Sequence, residues 1–292
     1  MELVRWEREP ALRRPLLVVA FEGWNDAGDA SSLALSYLAQ AWQAERFATI
    51  DAEEFYDFTV TRPNVRLSDA GHREIVWPDI ELLGAAVPGS NHDLVLVRGV
   101  EPQLKWRTFA QALVEVATKV GAELAVILGA LLADVPHTRP VRVSGTTDDR
   151  DLADRLGLAS PTYEGPTGIV GVLHDALRRG GIPTASFWAA VPHYVHQLPS
   201  PKAALALVER SAALLGAPVD PMELRAAARE YEREVTERIA DDDDAAAYVA
   251  QLEESADADW TDQGLPGSLR LGNIDELASE VERFLREHPR RD

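Results

Sequence analysis

The chain has 292 residues, 46% of them hydrophobic, which suits one large core with an appendage better than several independent domains. It contains no cysteine, so disulfides, thiolate metal sites and thiol nucleophiles are excluded, in keeping with a reducing cytosol. Its net charge of −19, with no basic cluster to offset it, argues against nucleic acid and anionic membranes as partners and favours cationic or neutral ones.

Met1 to Gly23 mixes acids and bases before a short apolar run and lacks the long apolar region and small-residue cleavage site of a signal peptide, so a cytoplasmic location is expected. Leu16 to Phe21 is a continuous β-prone run ending at Glu22-Gly23, and Ala27 to Trp42 carries helical spacing through Ala30, Leu33, Ala34, Tyr37, Leu38 and Ala41. Asn64 to Leu67 and Arg73 to Trp77 flank Asp69-Ala70-Gly71-His72 and read as a β-hairpin too polar for a sheet centre, and such an insertion suits an oligomer contact. A strand from Asp93 to Val97 leads to a helix near Gln103 to Val120, and Leu124 to Leu128 forms the next strand, closing at Gly129. This longest strongly apolar stretch, Leu124 to Ala133, is about half the ~20 residues a membrane-spanning helix needs. Thr167 to Arg179 reads as a helix ended by Gly180-Gly181, and Pro183 to Val191 as a strand. Buried strands alternating with helices predict an α/β fold, a three-layer α/β/α sandwich around a mostly parallel mixed sheet.

The last third reads as helical. Ser200-Pro201 opens a helix stopped by Gly216, Asp220-Pro221-Met222-Glu223 forms an N-terminal capping pattern, Asp241 to Asp244 ends that second helix, and Asn273-Ile274-Asp275-Glu276 opens a final one. From Met222 to Asp292 there are 20 acids and 9 arginines, so residues 220–292 are expected to form an acidic helical extension on an α/β core spanning 1–219.

In a doubly wound sheet, ligands bind beyond the C-terminal ends of strands. That rule selects Glu22, Gly23, Trp24, Asn25 and Asp26 after the first strand, although acids at a helix start also serve as caps. It also selects Arg98, whose structural reading is an ion pair with Glu22 or Glu164. Glu164, Gly165, Thr167 and Gly168 precede a helix and can cradle an anion on backbone amides, or simply form a tight turn. Trp188, His193 and Tyr194 close the last predicted strand. His193 and His196 lack a third ligand in any recognisable pattern, so no metal and no other cofactor is expected. The chain shows no nucleophile elbow and no nucleotide-binding loop, and Ser144-Gly145-Thr146-Thr147 offers hydroxyls without an identifiable base.

FEGWNDAGDA (Phe21 to Ala30), ILGALLADVPHTRPVRVSGT (Ile127 to Thr146), YEGPTGIVGVL (Tyr163 to Leu173) and FWAAVPHYV (Phe187 to Val195) together resemble the actinobacterial branch of the proteasome assembly chaperone family. The resemblance spans roughly Leu3 to Gly216. It implies a phosphorylase/hydrolase-like three-layer core, a hairpin used in trimerisation, a helical lid over the strand-end cavity and a proteasome-related partner. Archaeal and eukaryotic relatives commonly carry a hydrophobic-Tyr-X tail, whereas this sequence closes on Pro289-Arg290-Arg291-Asp292. Two functions follow. One is a non-catalytic ligand-binding or assembly protein, trimeric, whose lidded cleft of mixed charge suits a peptide or a small zwitterionic ligand. The other is a hydrolase or phosphorylase-like enzyme with Glu164 or His193 as general base and the Gly165 to Gly168 amides stabilising negative charge.

Overall fold

The computed structural model describes residues 3–69, 71–161, 163–216, 219–262 and 274–289. In chain order, β1 (Val4–Trp6) and β2 (Leu16–Glu22) lead through a short 3-10 turn to α1 (Ala30–Ala41). Next come β3 (Glu45–Ile50), the hairpin β4 (Asn64–Leu67) and β5 (Arg73–Val76), then β6 (Ile80–Ala85) and β7 (Leu94–Val100). The central stretch continues with α2 (Trp106–Lys119), β8 (Leu124–Ala133), β9 (Val143–Thr146), α3 (Arg150–Leu156), α4 (Ile169–Arg179) and β10 (Thr184–Pro192). Four helices close the chain: α5 (Pro201–Leu215), α6 (Met222–Ala240), α7 (Asp243–Asp262) and α8 (Ile274–Glu287).

The main sheet has 8 strands in the order β1-β3-β6-β7-β2-β8-β10-β9. Parallel pairing is confined to its middle, β7-β2-β8-β10, while β1, β3, β6 and β9 pair antiparallel at the flanks. The middle strands are largely buried on both faces, which is why β2 and β8 read as nearly continuous apolar runs. Alternate residues divide between two cores: Leu16, Val18 and Ala20 face α1, α5 and α8, and Leu17, Val19 and Phe21 face α2 and α4. The fold is thus a three-layer α/β/α sandwich around a mixed sheet.

The helix starts follow from local chemistry. Ser200 accepts the amide of Ala203 at the start of α5, and Asp220 accepts that of Met222 at the start of α6. The four aspartates have a second role beyond ending α6: Asp242 accepts the amides of Asp244 and Ala245 and so begins α7, a helix the sequence reading did not anticipate. The expected cap Asn273 lies outside the described residues. Val281, Phe284 and Leu285 of α8 are buried against the α1/α5 face, and Arg14 pairs with Glu282 at 3.1 Å to hold the same helix. Among the described residues no helix is long and apolar enough to cross a membrane.

The hairpin stands apart as its own two-stranded sheet, with every residue of both strands exposed, including Val65, Leu67 and Ile75.

Candidate functional site

The parallel strands β2 and β8 stay in register from Leu16/Leu124 to Val19/Ile127 and then part. Loop 23–29 enters the gap, and the carbonyl of Asn25 accepts the amide of Ala130 at 2.8 Å. Past that contact β8 continues to Ala133 paired with β10 on its far side. The sequence reading closed this strand at Gly129. Glycine is required there for another reason: a Cβ at 129 would lie 2.7 Å from the Trp188 ring that crosses it.

The parting strands open a cleft of about 950 Å³, the size range of small-molecule and peptide sites. Its walls are loop 23–29, the end of β8, β9, residues 159–161, the turn from Tyr163 to Gly168, the first turn of α4 and the loop after β10. Of the sequence candidates, Gly23, Trp24, Asn25, Asp26, Thr167, Gly168 and Trp188 line it. Glu22 is exposed at the end of β2, and Glu164 and Gly165 are exposed in the turn between the lining residues Tyr163 and Pro166. Arg98 lies elsewhere. Its Nε is 2.7 Å from Glu81 on the neighbouring strand β6, so its partner is neither Glu22 nor Glu164.

Asp26 serves as a helix-start acceptor. Its buried carboxylate receives the Ser31 amide and hydroxyl at 2.6 Å each, and the Ser32 hydroxyl at 2.5 Å. Burial raises its pKa, against the pull of those donors. The anchor of the cleft is Glu101, a residue the sequence reading passed over. One carboxylate oxygen accepts from Asn25 Nδ2 at 3.1 Å and from the Ile169 amide at 3.3 Å, and the other accepts from the Trp24 amide at 3.2 Å. A single acid therefore ties loop 23–29 to the N-terminus of α4, where the helix dipole favours negative charge. Its signal was its place just beyond β7, three residues past Arg98. Gly168 completes the join, because a Cβ there would lie 2.9 Å from Asn25 Nδ2 and 3.3 Å from the Trp24 ring.

What the cleft presents is apolar. Trp24 is 78% exposed, Tyr163 73%, Leu132 48% and Leu131 43%, and all four line it. Leu131 and Leu132 were hidden from the sequence reading by the early strand end at Gly129.

His193 and Tyr194 lie outside the wide cleft and contact Asp134 and His137, which line a smaller cavity of about 260 Å³ that α6 and α7 also help to line. The Tyr194 hydroxyl accepts the His137 amide at 2.8 Å and lies 2.9 Å from His137 Nδ1, while His137 Nε2 meets the Thr236 hydroxyl of α6 at 2.9 Å. His193 Nδ1 is 3.1 Å from Asp134, which also accepts the Tyr248 hydroxyl of α7. Arg139 forms a two-pronged pair with Asp257 of α7, and Lys202 binds Glu232 of α6. Burial pushes the Tyr194 hydroxyl up to about 12 and, with Lys202 nearby, holds the His137 imidazole below its ordinary value. Helices α6 and α7, expected as part of a lid over the wide cleft, line its neighbour, and among the described residues none that lines the wide cleft comes from the 220–292 extension.

Two features bear on catalysis. Among the described residues, no three histidine, aspartate or glutamate side chains gather as a metal site. A serine-histidine-aspartate alignment exists, with His174 Nδ1 3.0 Å from Ser186 Oγ and Nε2 3.5 Å from Asp148. It lies near the start of β10, and its serine and histidine are buried.

A three-layer α/β sandwich with an open crevice where two parallel strands part is a binding scaffold that hosts many functions. The sequence profile described as the PAC2 family matches residues 20–239, and the chain belongs to that family. Among solved structures it is similar to a PAC2 family protein from Streptomyces avermitilis, with 51% identity, 80% of this chain and 99% of that one covered, and a TM-score of 0.76. It is likewise similar to a proteasome-assembly chaperone homologue from Mycobacterium tuberculosis, with 49% identity, coverage of 80% and 99%, and a TM-score of 0.73. A second M. tuberculosis protein, described as of unknown function, shares 27% identity over 96% of this chain and 97% of its own, with a TM-score of 0.79. No curated protein matches significantly.

Proposed function

We propose that this protein is a non-catalytic assembly factor of the cytoplasm that holds a segment of a partner protein in the Trp24 cleft and self-associates, as a trimer, through the β4–β5 hairpin. One observation carries the reading: Trp24, Tyr163, Leu131 and Leu132 converge, exposed, on a single concave surface, the pattern of a docking site. Membership of the PAC2 family and similarity to a proteasome-assembly chaperone homologue support an assembly role and make proteasome subunits the first partners to test. The competing hydrolase reading is weakened because its candidate bases, Glu164 and His193, do not line the cleft.

The test is association of the purified protein with purified proteasome α and β subunits, read by sedimentation for the wild type and for Trp24→Ala/Tyr163→Ala. The double variant should bind at least about tenfold more weakly, the loss expected for removing hot-spot aromatics. Equal binding by a folded double variant would overturn the reading. For the hairpin, Leu67→Asp/Ile75→Asp should yield monomers by light scattering, because apolar strand edges and faces would no longer be covered by another copy. A wild type already monomeric at micromolar concentration would refute the trimer.

A further inference from the structure

Beyond Ala130, whose amide is taken by the Asn25 carbonyl of the loop that fills the gap, the edge of β8 continues to Leu132 along the cleft. The Ala130 amide points toward β2's side of the sheet, since it donates to the Asn25 carbonyl in the gap. Residues two apart on a strand direct their backbone groups to the same side. The Leu132 N–H and C=O therefore face the cleft, while the neighbouring Leu131 and Ala133 turn toward β10, with which β8 remains paired to its end. An unpaired backbone donor and acceptor on a strand edge can receive another strand. Here the edge lines the cleft itself.

We infer that the partner segment binds as an added β-strand beside the end of β8, beyond the Asn25–Asp26 contact with Ala130, and hydrogen bonds to Leu132. This inference rests on the cleft being the docking surface proposed above. The open edge offers about 10 Å of strand, at ~3.3 Å per residue. Leu131 and Leu132 point to opposite faces of the sheet and both are exposed, so consecutive residues of the guest meet apolar neighbours. The guest is thus an unbroken apolar run rather than an alternating one. Charge fixes its flanks. The exposed Asp29 lines the cleft, no lysine or arginine does so among the described residues, and Glu22 and Glu164 are exposed beside its rim. In a chain of net charge −19 this favours basic residues on either side of the apolar run.

The probe is a labelled synthetic peptide of valine and tyrosine between terminal lysines, with binding followed by fluorescence polarisation. Two versions N-methylated at alternate residues present blocked amides to opposite edges. One should bind at least about tenfold more weakly and the other within about twofold, because only one set of amides meets β8. Leu132→Pro removes the cleft-facing amide without touching the pairing to β10, and should weaken the unmodified peptide by a similar factor. Glutamate at the peptide ends should weaken it about tenfold. If Leu132→Pro does not fold, the N-methylated pair decides alone. Binding by the unmodified peptide with equal affinity for both methylated versions would overturn strand addition while leaving the docking surface intact. Failure of every peptide to bind would sink both readings. A change of oligomeric state in Leu132→Pro, in place of lost peptide binding, would make a second copy the occupant and overturn the inference.

Discussion

Trp24 and Tyr194 each follow a strand of the same parallel centre, at the same end of the sheet. Trp24 is 78% exposed beside a cleft of about 950 Å³, whereas Tyr194 is half-buried and joined to His137, under helices that arrive some 40 to 60 residues later in the chain. The difference lies in what covers them. α6 and α7 bring Thr236, Glu232, Tyr248 and Asp257 to the Tyr194 side, and each meets a partner there. The acidic extension is therefore not only a solvated face, since part of its charge is paired with Arg139 and Lys202 of the core. In open α/β sheets ligands bind at the C-terminal ends of strands, but only distant segments decide whether a residue placed there is sealed or left open.

The contrast can be broken most directly by truncation. Tyr194→Ala should cost about 2–4 kcal/mol, because it removes packing and strands the polar groups of His137. Trp24→Ala should stay within about 0.5 kcal/mol, as expected of an exposed side chain. Urea denaturation of both variants checks this, and comparable losses would erase the distinction between an open and a sealed region.

A smaller effect is expected at Glu101, whose replacement by Ala should cost about 1–3 kcal/mol by freeing the Asn25 side chain and the amides of Trp24 and Ile169. It should also weaken peptide binding in the cleft. Unchanged binding by a destabilised Glu101→Ala would show that loop 23–29 needs no anchoring for function.

The sealed side should carry a histidine-dependent pH signature. Burial lowers the His137 pKa in the folded protein, so the unfolded chain takes up that proton at a higher pH than the native one. The stability contribution is complete above about pH 6.5 and is lost as pH falls through the lower folded value. His174, also lowered by burial, contributes with the same sign. His137→Asn should flatten the decline in urea midpoint between about pH 7 and pH 5, leaving the His174 share. An unaltered slope would show that His137 is not held neutral. The smallest effect is chelation: EDTA should leave the melting temperature unchanged, because no native-state metal would be withdrawn. A clear drop restored by one divalent ion would contradict this.

Much of the fold was legible because the central strands and the helices that cover them announce themselves locally. Leu16 to Phe21 is apolar throughout and Pro183 to Val191 nearly so, and Ser200-Pro201 and Asp220-Pro221 mark helix starts in a few residues. The flanking strands β1, β3 and β6 were missed because their sequences are short or mixed, and their pairing is set by neighbours far along the chain. At the cleft, loop 23–29 and Thr167-Gly168 were visible from strand-end logic. Glu101 and Leu131-Leu132 were not, the first because an acid after a strand is commonplace, the second because a glycine inside a strand was taken for its end. His193 and Tyr194 were grouped with Trp24 because nothing local shows that α6 and α7 will cover one and not the other.

Hydrogen exchange of the intact protein with and without the valine-tyrosine peptide tests the central claim most directly. The account predicts new protection at Leu132 and around Trp24-Asn25, with Met222 to Ala240 unchanged. Protection gained across α6 and α7 instead, with the β8 edge unaltered, would place the binding site beneath those helices and contradict it.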